Sequence, residues 1–233
     1  MANRATKERS VGRGGFPISN SKESAMTKNL TRLAVVGFAL LTLILLLAIQ
    51  AGAYPEPGLV PRSWELDFTF KDPRRIAVKG VDGRTQWYWY VIYKVVNNTS
   101  EERLFVPEFT LATDHGNILV AGEKVKAGLF DVVKAKERNA LLESPKTVVG
   151  KLLRGEDYAK ESVAIWPAFE QDVDRFNLFV AGISGETTVI KHPRTGEEVV
   201  LRKTLMLDYT TPGTGVRPQD QPIVRKGKRW VMR

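Results

Sequence analysis

Residues 86–96 read QWYWYVIYKVV, the densest run of aromatic and β-branched side chains in the chain. Such residues fit a pleated, packed surface. Both alternating sets are apolar at its centre: Trp87, Trp89, Val91 and Tyr93 on one side, Tyr88, Tyr90 and Ile92 on the other. A strand with two apolar faces must be covered on both, so this run predicts a central strand. Working outward, Trp64, Leu66, Phe68 and Phe70 alternate with Glu65, Asp67, Thr69 and Lys71, a half-buried strand that Asp72-Pro73 ends. C-terminal to the central run, Asn97 to Ser100 form a loop, strands are expected at 103–106 and 108–111 around Pro107, and Asp114-His115-Gly116-Asn117 turns a hairpin into 118–120. Further strands are predicted at 147–153, 162–166, 174–183 and 199–209, with a hairpin arm inside 185–196. Between them, Val125, Leu129, Val132, Val133 and Leu141 have helical spacing and predict one amphipathic helix over 124–142. The last residues, 223–233 (IVRKGKRWVMR), read either as a short strand or as a loose basic tail. Many short strands with regular turns and one helix predict an all-β domain over 63–211, a sandwich of two antiparallel sheets with one inserted amphipathic helix.

The 233 residues are 43% hydrophobic and 26% charged, which excludes wholesale disorder. There is no cysteine, so disulfides, thiolate metal sites and cysteine nucleophiles are excluded, and two histidines leave little room for imidazole chemistry. The net charge of +9 is concentrated at the two ends: 1–32 carries +5, 217–233 carries +5, and the rest is close to neutral. That distribution argues against a basic nucleic-acid-binding domain.

From Leu33 the chain runs LAVVGFALLTLILLLAI to Ile49 and stays uncharged through Ala53. At about 1.5 Å per residue such a helix crosses a hydrocarbon layer of about 30 Å. The basic flank Lys28 to Arg32 lies on its N-terminal side and the next positive charge is Arg62. The positive-inside rule then puts 1–32 in the cytoplasm as a disordered basic tail and everything after 53 across the inner membrane. Ala51-Gly52-Ala53 has the form of a signal-peptidase site, so cleavage after Ala53 competes with an uncleaved anchor. The apolar core is longer than a usual signal h-region, which favours a transmembrane signal anchor over 33–53, followed by a Pro-rich linker over 54–62.

Two groups of segments carry a resemblance. Residues 88–100 (YWYVIYKVVNNTS) with Phe109 to Asn117 resemble a strand, NNT loop, strand and D-x-G-N turn. Arg154-Gly155-Glu156 with Ser162 to Trp166 resembles a GE turn leading into an outgoing strand. Together, over about 90–180, they resemble the immunoglobulin-like extracytoplasmic domains of bacteria that sit behind a signal or lipoprotein anchor. The resemblance implies fold and location; most such domains have no assigned activity. The helix at 124–142 departs from that pattern, and the inter-sheet disulfide of antibody domains has no counterpart here.

Candidate contacts fall in two places. Trp87, Trp89 and Tyr93 could stack on sugar rings, or pack a core. Arg225, Lys226, Lys228, Arg229 and Trp230 form a basic, aromatic C-terminal segment that could meet an acidic polymer, a headgroup or a partner protein, or stay solvated. Asp172, Asp174 and Asn177 lack the glycine and closing glutamate of a calcium loop and read as solvated loop residues. His115 and His192 have no metal-spaced partner. Asn29, Asn97 and Asn98 match the N-glycosylation pattern, which carries no weight in a chain read as bacterial. The sequence therefore predicts a non-enzymatic, cofactor-free, membrane-anchored module that binds or scaffolds another envelope protein. A glycan-binding module is the alternative, and a hydrolase without a recognisable motif a third class.

Overall fold

The central run forms the longest strand of a four-stranded antiparallel sheet, which packs against a six-stranded one. The computed structural model describes residues 55–58, 60, 62–80, 83–168, 173–211 and 223–233. The expected cytoplasmic tail, the span 33–53 and most of the coil expected after 211 lie outside the described residues. Among the described residues no helix is long and apolar enough to cross a membrane. Tyr54–Arg233 forms one compact unit, so the domain extends past 211 to the last residue.

In the first sheet, β1 (Asp67–Phe70) and β2 (Arg74–Lys79) pair with successive parts of β3 (Thr85–Val96). A separate two-stranded ladder is formed by β4 (Arg103–Phe105) with β7 (Gly150–Leu152). The β3 strand pairs along its other edge with β8 (Lys160–Pro167). The second sheet holds β5 (Glu108–Thr113), β6 (Ile118–Val120), β9 (Arg175–Ala181), β10 (Thr187–Lys191), β11 (Glu198–Thr210) and β12 (Val224–Met232). Its order is β10-β11-β9-β5-β6, with β12 on the other edge of β11. The segment left open at the C-terminus is thus a strand and not a loose tail. It pairs with β11 from Lys203↔Met232 to Thr210↔Val224.

The two alternating sets of β3 separate as their apolarity requires. Trp89, Val91, Tyr93 and Val95 join Phe109, Leu111, Phe176, Leu178, Val180, Leu205, Leu207 and Tyr209 in one core between the sheets. Tyr88, Tyr90 and Ile92 face the other way and pack with Leu129, Val133 and Leu142 from the helix α1 (Leu129–Glu137) and the loop after it. The layers are therefore helix, four-stranded sheet, six-stranded sheet.

The helix is shorter than its spacing predicts. Lys124 and Gly128 adopt left-handed backbone at φ 54° and 80°, so the preceding residues make turns, and Arg138 at φ 51° ends the helix. Because the turn rotates the chain after 138, Leu142 is buried while Leu141, the residue on the helical period, is 80% exposed. Glu137 fastens the helix to the sheet. Its carboxylate accepts from Tyr90 Oη at 2.7 Å and from Arg74 at 2.9 Å, with Lys71 at 3.5 Å. Burial works against that charge, but the tyrosine and arginine outweigh it and hold Glu137 below the ordinary carboxylate range. The same burial, with Glu137 adding to it, pushes Tyr90 up to about 12.

Candidate functional site

The proposed sugar platform is absent from the surface. Trp89 and Tyr93 are buried at 1% and 2% exposure, between the sheets, and only Trp87 is half-buried. Tyr93 packs on Phe109 at 4.7 Å and Trp89 on Phe176 at 5.6 Å between ring centroids. Side chains of this size gain most by leaving water, so the core takes them. This corrects the reading of Trp89 and Tyr93 as ligand contacts.

The basic C-terminal segment fares differently. As β12 it lies at the edge of the six-stranded sheet, with Arg225, Lys226, Lys228 and Arg229 exposed. The register shifts between Asp208 and Tyr209, which face Gly227 and Arg225, so Lys226 is the extra residue of a β-bulge. A Cβ at Gly227 would come within 2.7 Å of Asp208 Oδ2, so any larger residue there would make the Asp208 carboxylate turn aside. Arg225 and Lys228 turn towards β1, at 5.2 and 5.8 Å from the Phe70 ring, and Arg225 also pairs with Asp72 at 3.3 Å. Arg229 faces the opposite way and pairs with Asp208. Among the described residues, Lys226 and Lys228 have no ion pair. Five cationic side chains over 225–233 thus meet two carboxylates, and the strand presents a net positive edge. Cationic residues and a bulge also hinder addition of another strand. This edge therefore suits recognition through side-chain charge rather than backbone pairing.

Beside Trp230 lies a buried ion cluster that sequence reasoning missed. Lys203 is 2% exposed, donates to Glu65 and, at 3.1 Å, to Glu186, and lies 5.0 Å from the Trp230 ring. Burial opposes its charge, but the two carboxylates prevail and raise its pKa. Glu186 is held below its ordinary value, first by the backbone N–H of Gly58 at 3.1 Å and then by Lys203. One buried carboxylate thereby joins the segment around Gly58 to the sheet. The Trp64 indole lies so close to Gly185 that a Cβ there would meet its Nε1 at 2.2 Å. The available signal was parity: Lys203 shares the inward face of β11 with Leu205, Leu207 and Tyr209, and a lysine there needs counter-charges.

The remaining candidates take structural or exposed places. His192 accepts from the Thr195 backbone N–H at 3.1 Å inside the β10–β11 turn, and His115 is exposed in the β5–β6 turn. Asn97 is fully buried and donates to the Glu101 and Leu152 carbonyls, tying the loop after β3. Asp174 is exposed and Asn177 half-buried on β9, while Asp172 lies outside the described residues. Among the described residues no three His, Asp or Glu side chains group as a metal site. Comparison with family models, with curated proteins and with solved structures returns no match.

Proposed function

We infer that this chain is a membrane-anchored, extracytoplasmic, non-enzymatic module that docks an acidic surface of another envelope protein. In this reading 33–53 is an uncleaved signal anchor, 1–32 is cytoplasmic, and the two-sheet body is an immunoglobulin-like sandwich on the far side of the inner membrane. The apolar run, its basic N-terminal flank and the antiparallel two-sheet body support it. The observation that carries the docking surface is the charge of β12: an edge strand whose cations outnumber the carboxylates set against them, with Lys226 lifted out by a bulge. A patch of one sign steers a partner of the other and fixes its orientation.

The test is crosslinking in living cells followed by affinity purification of the tagged full chain and mass spectrometry. The reading expects a reproducible, near-stoichiometric envelope protein whose yield falls several-fold in the Lys226→Glu/Lys228→Glu variant and in high salt. Both positions are exposed, so the variant keeps the fold. Capture unchanged by charge reversal, or retention of the chain in the cell-wall fraction with no protein partner, overturns the reading; the second outcome favours a glycan ligand.

A further inference from the structure

The edge of β8 turned away from β3 is left open at its centre. The register pairs Ile92 with Val163, and the Ile92 carbonyl accepts from the Lys71 N–H, on the opposite edge of β3 from β8. In an antiparallel ladder such a pair exchanges no hydrogen bonds, so the Val163 N–H and C=O also point outward from the ladder. The same parity holds for Glu161 and Ile165. Their carbonyls are taken: Glu161 accepts from the Glu143 N–H at 2.8 Å and Ile165 from the Gly122 N–H at 2.9 Å. The Val163 N–H and C=O and the Ile165 N–H have no hydrogen-bond partner among the described residues.

These groups face a cleft of about 280 Å³. Its walls are mostly apolar, among them Phe109, Val120, Val125, Phe130 and Pro145, with Lys126 and Glu108 as its charged members. Val163 and Ile165 are 1% and 3% exposed. Buried backbone groups without partners are rare and costly, and apolar walls offer none. The occupant that satisfies both features has alternating donors and acceptors on one edge and an apolar side chain beside them. An extended peptide has both.

The geometry points to a peptide-binding slot at the centre of the β8 edge, where a short extended segment pairs with Val163 and seats an apolar side chain in the cleft. From Glu161 to Ile165 the strand runs about 13 Å at about 3.3 Å per residue, so the slot takes roughly three residues. The bonds from Gly122 and Glu143 close it at both ends. This is strand addition on a built edge. It does not depend on the charged edge of β12, which is at the far end of the other sheet's strand order.

The probe is acetyl-Thr-Val-Thr-Val-Thr-amide, titrated into the isotope-labelled full chain in lipid nanodiscs. The expected result is a saturable shift of the Val163 and Ile165 amide resonances. The same peptide with every backbone amide methylated keeps its side chains and carbonyls but cannot donate to the Val163 carbonyl, and binds at least about tenfold more weakly. Val163→Pro removes the donor without touching the β3 ladder and gives the same loss. Should that variant fail to fold, Val125→Trp fills the cleft from the loop and gives it instead. Three results overturn the proposal: no shift; equal binding by the methylated peptide, which means apolar filling alone; or the same shifts without peptide on adding lipid or on raising protein concentration, which mean an acyl chain or a second copy.

Discussion

Replacing Lys203 by methionine removes the cation that sits between Glu65 and Glu186 and leaves two carboxylates facing each other at the base of Trp230. Breaking a buried pair by deleting one partner costs about 3–5 kcal/mol, because the remaining charge has lost its solvent and its partner. Here Glu65 keeps 23% of its side-chain exposure while Glu186 keeps 8%, so water relieves one of the two carboxylates. The loss belongs at the lower end, about 3 kcal/mol. For a body of this size that lowers Tm by about 6–12 °C. The assay is denaturant unfolding of the full chain in nanodiscs, followed by tryptophan fluorescence. The pH dependence adds a second reading. The depressed pKa of Glu186 means that its contribution is full above about pH 4.3 and is lost as pH falls through the folded value. Without Lys203 that sign reverses: the deficit of the variant is largest at neutral pH and shrinks in acid, as the buried, unpaired Glu186 takes up a proton. Adding Glu65→Gln and Glu186→Gln recovers most of the loss. A deficit below about 1 kcal/mol that is flat in pH refutes the cluster as a buried, charged unit.

Gly182→Ala forces a side chain onto a residue at φ +83°, with its Cβ 2.2 Å from the Val106 carbonyl oxygen. Left-handed strain of about 1–2 kcal/mol plus that backbone clash predicts a loss of about 3 kcal/mol in the same unfolding assay. Glu137→Gln keeps an acceptor for Tyr90 but loses the ion pairs. Arg74 and Lys71 are half-exposed, so the cost is about 1 kcal/mol, seen as faster amide exchange over the helix; in the parent chain that contribution disappears as pH falls through the lowered pKa of Glu137. The absence of native cysteine makes single-cysteine mapping clean: Tyr158→Cys, at an exposed position, should react with a membrane-impermeant maleimide in intact cells, and Ser19→Cys only after lysis.

How far the sequence could be read depended on whether the deciding contact was local. The β3 run was legible because its own residues demand a strand and both of its apolar sets had to be covered, which the core and α1 do. The β5–β6 hairpin was legible from its turn, where Gly116 takes φ 81°. By contrast β2, with the sequence RRIAVK, shows little alternation and becomes a strand through its pairing with β3. The helix lost its flanks to left-handed residues that no periodicity reveals, and with them the assignment of Leu141 to the buried face. β12 reads as a charged tail until β11 supplies its hydrogen bonds. The aromatic candidates were ambiguous for a physical reason: a ring that packs a core and a ring that stacks on a sugar are the same residue, and only burial separates them. Glu65, Glu186 and Lys203 are far apart in sequence, so the ion cluster, like the open centre of β8, exists only in the folded chain.

The most direct test of the docking surface places a photo-crosslinking amino acid at Lys226 and, in a second chain, at Tyr158, an exposed position far from β12 in sequence. Both full-length proteins are irradiated in living cells and their adducts identified by mass spectrometry. A docking surface on β12 gives one discrete envelope-protein adduct from position 226, absent from position 158 and lost when Lys228 is changed to Glu. No adduct from 226, or the same adducts from both positions, would contradict it.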